Sequence, residues 1–153
     1  VIILCDIDNV ISDDLWRTKF IARHRVGARA QFQEYHMAAL LDSAANLHLV
    51  ADWRAKVYFL TSMPEEYAHL REAWLRQYRV RYERVLYRAN YDHRPSPDVK
   101  RSMLKQLRVD GVPLREVVAA YDDREDVLAV YREEGLPAIH IQIHQQDHTH
   151  GTA

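Results

Sequence analysis

Apolar positions in this chain gather into five short, nearly unbroken runs, at residues 1–5 (VIILC), 56–61 (KVYFLT), 85–87, 117–121 and 138–143. Runs of that length without polar alternation suit strands buried on both faces. Between them the apolar spacing turns helical. Pro64 is placed to open a helix with Glu65 and Glu66 in its first turn, where carboxylates favour the helix dipole, and Leu70, Trp74 and Leu75 continue it to about Tyr78. Pro97 and Asp98 open another, carrying Met103, Leu104 and Leu107, and residues 124–134 form a third, stopped by Gly135 and Pro137. Strands separated by helices of this length form βαβ units, so the predicted fold class is α/β: a three-layer, Rossmann-like, mainly parallel sheet.

Residues 12–55 break the rhythm. Residues 14–25 and 32–47 read as helical and no strand is expected there, so this stretch is a small helical insertion after the first strand. Ligands of open parallel sheets bind beyond the carboxyl ends of the strands, and the insertion leaves from that edge. It should therefore overhang any site as a lid. No linker or internal repeat divides the sequence, which predicts one domain over residues 1–145 and a flexible tail over 146–153.

Composition narrows the class. With 48% hydrophobic and 28% charged residues the chain of 153 is globular. One cysteine, Cys5, excludes an internal disulfide, and its place in a buried strand makes it a small apolar filler. No run approaches the roughly 18 apolar residues of a membrane span, and residues 1–4 are too short for the core of a signal peptide. The expectation is a soluble, cytoplasmic protein without a membrane partner. A formal charge of −1 disfavours a uniformly basic nucleic-acid binder, yet it is a cancellation: residues 71–108 carry 11 basic and 4 acidic groups, residues 109–153 carry 3 and 9. A local phosphate-attracting face stays open.

The acidic residues at strand ends carry the candidate chemistry. The first strand runs into Asp6-Ile7-Asp8-Asn9-Val10. Two carboxylates this close need a cation, or one must take up a proton. Taken alone, the pair is equally a solvated loop. The fourth strand ends in Asp122-Asp123, which read singly as helix caps; two acidic pairs on one sheet edge together suggest a Mg²⁺ site. Thr61-Ser62 ends the second strand and, with the following helix N-terminus, forms an anion pocket or an ordinary cap. Lys100, just inside its helix, is close enough to the edge to neutralise both a nucleophile and a phosphate, although a surface position is the commoner fate of a lysine.

In order and strand position, Asp6-Ile7-Asp8-Asn9-Val10, Thr61, Lys100 and Asp122-Asp123 resemble the four motifs of the haloacid dehalogenase (HAD) superfamily. Residues 57–135 resemble most the phosphatase domain of polynucleotide kinase/phosphatase, through Ala73-Trp74-Leu75, Tyr87-Arg88, Asp92-His93-Arg94, Asp98-Val99-Lys100, residues 122–127 and residues 131–135. The resemblance implies the HAD fold and a phosphoaspartyl mechanism. Asp6 would attack phosphorus; Asp8 would protonate the leaving alcohol and then activate water; Thr61 and Lys100 would hold the phosphoryl oxygens. Mg²⁺ would be held by Asp6, the main-chain carbonyl of Asp8, Asp122 and Asp123. The implied substrate is a phosphorylated nucleotide or a nucleic-acid 3′ end. A small phosphometabolite, a phosphotransfer reaction or an inactive HAD-fold binding domain are the alternatives. Three positions depart from the relatives: Asn9-Val10 for Gly-Thr, Ser62-Met63 for Gly-Arg, and Arg71 for a threonine. These residues contain no Gly-x-x-x-x-Gly-Lys-Ser/Thr loop, so the kinase half of the bifunctional relatives is not expected among them.

Other residues are weighed against plainer roles. Arg88 and Arg94, with Ser62, are candidate substrate contacts. His93 between them is a bystander if Asp8 is the base. His140, His144, His148 and His150 suggest a metal site but read better as an incidental tail. Trp16, Tyr35 and Trp53 can stack on a base or simply pack the insertion.

Overall fold

The computed structural model describes residues 1–20 and 28–145, with side chains left aside for residues 28–32. Seven strands are described: β1 (Ile2–Cys5), β2 (Ser12–Asp13), β3 (Ser43–Ala44), β4 (Lys56–Pro64), β5 (Arg84–Arg88), β6 (Val117–Asp122) and β7 (Ala138–His140). The α-helices are α1 (Ala28–Met37), α2 (Ala68–Gln77), α3 (Ser96–Val109) and α4 (Glu125–Glu133). Five strands form one sheet in the order β5-β4-β1-β6-β7, and every pairing in it is parallel. The chain thus winds outward from β1 in one direction and then, from β6, in the other. That reversal puts a topological switch point beside the carboxyl end of β1, where such sheets bind ligands.

Alternation along β1 explains the layers. Ile2 and Leu4 enter a cluster with Val99, Met103, Leu104 and Leu107 of α3 and Val127, Leu128 and Tyr131 of α4. Ile3 and Cys5 face the other way, onto Trp74 and Leu75 of α2 and Val50 of the insertion. Both faces of the central strand are covered, which is why its sequence is uniformly apolar. Cys5 is a buried free thiol there, as its setting predicts.

Several expectations need correction. Pro64 does stand at the helix start with Glu65 and Glu66 in the first turn, but it is also the last residue of β4, and that first turn, Glu65–Tyr67, is 3-10 and leads straight into α2. The last strand stops at His140, because the Ile143 and His144 amides bond to Asn9 and pull the chain off the sheet. The insertion does contain strand: β2 and β3 form a short antiparallel ladder. Its helices are shorter than the sequence suggests. Leu15–Phe20 is a 3-10 helix, and the expected helix of residues 14–25 then runs outside the described residues. The helix expected over 32–47 ends in a 3-10 turn, Ala38–Leu41, because Asp42 is extended (ψ 141°) and turns its buried carboxylate inward. The expected tail, residues 146–153, also lies outside the described residues. Among those described, no helix is long and apolar enough to cross a membrane.

Candidate active site

Asp6 follows β1 directly, its N–H held by Tyr121 O of β6 at 2.9 Å. Asp122 ends β6 and accepts the Arg124 N–H at 3.0 Å on one oxygen, a turn bond just ahead of α4; the helix itself has no side-chain cap, so the plain capping role is not what holds Asp122. Its other oxygen lies 3.0 Å from Lys100 Nζ, which also lies 3.0 Å from Asp6 Oδ1 and donates to Leu60 O. Lys100 is the fifth residue of α3, and its stem runs through the core to reach these groups. Asp6, Asp122 and Asp123 each offer an oxygen within 4.8 Å of the others, and all three are buried.

The electrostatics follow from that crowding. Burial pushes the Asp123 carboxyl up to about 9, reinforced by Asp6 and Asp122, while a hydrogen bond from Asn9 and the charge of Lys100 oppose it. Burial likewise raises Asp6 to about 7 against the pull of Lys100, with Asp122 and Asp8 adding to the rise. For Lys100, burial alone would favour the neutral amine, but Asp122 and Asp6 outweigh it and keep the ammonium. Three carboxylates thus face one buried cation. An all-oxygen donor set with excess negative charge fits a hard divalent ion such as Mg²⁺.

The Asp8 side chain points elsewhere. Its Oδ1 receives Arg17 Nη2 at 2.5 Å and Arg71 Nη2 at 2.6 Å, both from fully buried arginines. Burial raises Asp8, but Arg71 and Arg17 dominate and hold it down at about 2. Arg17 is braced in turn by Asp42, which takes Nε at 2.9 Å and Nη2 at 2.8 Å, and its guanidinium lies 4.3 Å from the Tyr35 ring centroid. Asp42 also accepts from Ser12 Oγ and from Trp16 Nε1. The insertion therefore does reach the site edge, through Arg17 and Asp42. Sequence reasoning passed over both, because a buried arginine or aspartate in a helix-like stretch looks the same as a surface one. Arg71 stood out only as a departure from the relatives; it proves to grip the second aspartate of the first motif.

The remaining candidates divide. Thr61 is fully buried within β4, three residues before its end, its Oγ1 accepting the Met63 N–H at 3.1 Å. Ser62 Oγ meets Ser96 Oγ at 3.0 Å. Arg88 joins this edge from β5, donating to Ser62 O, Asp92 O and Arg94 O. Arg94 is not brought in: its guanidinium engages Asp92 and Ser102. Of the aromatic residues, Tyr35 is buried and donates to Asp14, and Trp53, 73% exposed, precedes β4 and so lies at the opposite edge of the sheet. Trp16 remains partly exposed beside Asp42. His140 pairs with Glu125 and His144 with Asp13, rather than with each other; His148 and His150 lie outside the described residues.

Comparison with known proteins bears on the fold and on the family. A chain of the Pnkp1/Rnl/Hen1 RNA repair complex superposes with a TM-score of 0.65 at 21% identity over 91% of this chain, and a second structure of that complex gives 0.67 at the same identity. This chain spans 41% and 44% of those chains. A HAD-superfamily hydrolase, subfamily IA, from Geobacter sulfurreducens aligns over 91% of this chain and 85% of its own, with a TM-score of 0.58 and 13% identity. At such identities the structural matches speak for the fold. Comparison with curated proteins gives no match. The family described as the polynucleotide kinase PNKP phosphatase domain, however, matches residues 1–148. On that match across nearly its full length, the chain belongs to the PNKP phosphatase-domain family of HAD-type phosphatases.

Proposed function

We propose that the protein is a Mg²⁺-dependent phosphomonoesterase that works through a phosphoaspartate and removes a phosphate from a nucleotide or polynucleotide 3′ end. The observation that carries this reading is the convergence of Asp6, Lys100, Asp122 and Asp123 on one buried point at the switch point of the sheet. Asp6, Asp122 and Asp123, with the main-chain carbonyl of Asp8, would hold the cation, which supplies positive charge to the phosphate under attack.

The rest falls to the chain. An Asp6 oxygen attacks phosphorus, the bond from phosphorus to the leaving oxygen breaks, and Asp8 delivers a proton to that oxygen. Because Arg17 and Arg71 hold Asp8 ionised in the free protein, this proton arrives with the substrate, on a monoanionic phosphate whose second pKa is about 6. In the second half Asp8 takes a proton from the water that attacks the acyl phosphate, and Asp6 is regenerated. Lys100 and the Thr61 hydroxyl hold the phosphoryl oxygens; Ser62 and Arg88 line the adjoining edge, and Arg94 would have to leave Asp92 to join them. Residues 1–145 act as one catalytic unit, and the single buried thiol suits a reducing cytoplasm.

A substrate panel with Mg²⁺ tests the reading: p-nitrophenyl phosphate, 3′-phosphorylated oligonucleotides, 3′- and 5′-mononucleotides and sugar phosphates, each with the parent and Asp6→Asn. Hydrolysis by the parent alone, fastest on 3′-phosphorylated nucleotide substrates, is expected. Equal rates for parent and variant overturn the catalytic assignment, and sugar phosphates outrunning nucleotides overturn the substrate class.

A further inference from the structure

Asn9 occupies a backbone position that favours glycine. Its φ is +60°, in the left-handed region where asparagine is among the few tolerated side chains. The residue is 1% exposed, and every polar atom of its side chain has a partner. Nδ2 donates to Asp123 Oδ2 at 3.0 Å and to the His144 carbonyl at 2.8 Å, while Oδ1 accepts the His144 N–H at 2.8 Å. The Asn9 carbonyl also accepts the Ile143 N–H at 2.9 Å.

This pattern fixes the orientation of the amide. With Oδ1 facing the His144 N–H, the nitrogen end must face the His144 carbonyl and Asp123; the flipped amide would set N–H against N–H. The backbone of residues 143–144 therefore aims Asn9, and Asn9 restrains rotation of the Asp123 carboxylate. A glycine at position 9 offers no such link. The segment itself is tied down on both sides, by the bond from Ile141 N to Asp122 O at 3.0 Å and by the His144 ring against Asp13 at 3.0 Å.

We propose that Asn9 is a positioning residue for Asp123 and that the Ile143–His144 backbone is the brace that aims it, which makes the C-terminal segment a working part of the metal centre. The proposal rests on the reading that Asp6, Asp122 and Asp123 hold a divalent cation. Groups that orient metal ligands typically change affinity by about 10–100-fold when removed.

Titration of the full-length chain with Mn²⁺, followed by electron paramagnetic resonance, and with Mg²⁺, followed by calorimetry, tests it without recourse to turnover. Asn9→Gly keeps the backbone conformation and removes the side chain. His144→Pro removes the amide that orients it, and Asp13→Asn removes only the ion pair of the His144 ring. Circular dichroism melting shows which variants fold, and either of the first two suffices. Binding weakened by about ten-fold or more in Asn9→Gly and His144→Pro, with Asp13→Asn like the parent, is the expected result. Parent-like affinity in a folded Asn9→Gly or His144→Pro protein overturns the positioning role. Weakening in Asp13→Asn equal to that in His144→Pro overturns the backbone brace. A parent that binds neither ion overturns the cation reading, and the proposal with it.

Discussion

Replacing Lys100 by methionine would remove the ammonium that bonds both Asp6 and Asp122 and leave the length of the side chain almost unchanged. Breaking a buried pair from one side costs about 3–5 kcal/mol, since a charge is left without compensation. The loss should be greatest on the alkaline side, above the Asp6 pKa of about 7. In Lys100→Met the Asp6 carboxyl loses the charge that holds its pKa down and rises further above its unfolded value, so the folded protein binds more protons than the unfolded chain and regains stability as the pH is lowered. Thermal unfolding at pH 5 and pH 8 checks this, and a destabilisation that does not shrink in acid sinks it. Phosphatase activity should be lost at both pH values. At this scale the sequence displayed Asp6, Lys100 and Asp122-Asp123, because carboxylates at the ends of apolar runs are conspicuous. It hid Arg17 and Asp42, because burial of a charged residue is decided by partners distant along the chain, 25 residues apart in that pair.

Among the elements, the insertion reaches the site through Arg17, which one carboxylate braces. Asp42 neutralises Arg17, and its main-chain carbonyl receives Trp74 Nε1 at 2.8 Å and Tyr78 OH at 3.2 Å. It thus pins the insertion to α2 while bracing one of the two arginines on Asp8. Asp42→Ala keeps the main-chain carbonyl but removes the carboxylate that binds Arg17, Ser12 and Trp16, leaving Asp8 as the carboxylate on Arg17; it is expected to destabilise the fold by about 3 kcal/mol and to speed proteolysis within residues 12–55 relative to the sheet. Limited proteolysis with mass spectrometry reads the cut sites; cleavage spread evenly over the chain would contradict the anchoring role. The central strands were legible because two-sided burial demands unbroken apolar runs. The insertion was not, because 3-10 turns and a two-residue ladder held by side-chain bonds leave no periodicity to read.

For the molecule as a whole, opposed ionisations set the dependence on pH. Asp6 and Asp123 have folded pKa values of about 7 and about 9, above their ordinary value of 3.8. Between those limits the folded protein binds more protons than the unfolded chain, so the metal-free fold loses stability as the pH rises through that window. His36 acts in the opposite direction. Burial lowers its pKa from 6.5 to about 3, so the unfolded chain takes up the proton first and stability falls as the pH drops below 6.5. Metal-free protein should therefore be most stable in mildly acidic solution. A divalent ion held by Asp6, Asp122 and Asp123 displaces the protons on that cluster, and ligand bound only to the folded state stabilises it. The rise in Tm produced by saturating Mg²⁺ is accordingly expected to be larger at about pH 8.5 than at about pH 6, because metal-free carboxylates are least comfortable where they are forced to ionise. Differential scanning calorimetry with and without Mg²⁺ at both pH values measures it. A rise that is the same at both, or larger at the lower one, would mean that the buried carboxylates do not exchange protons for the metal.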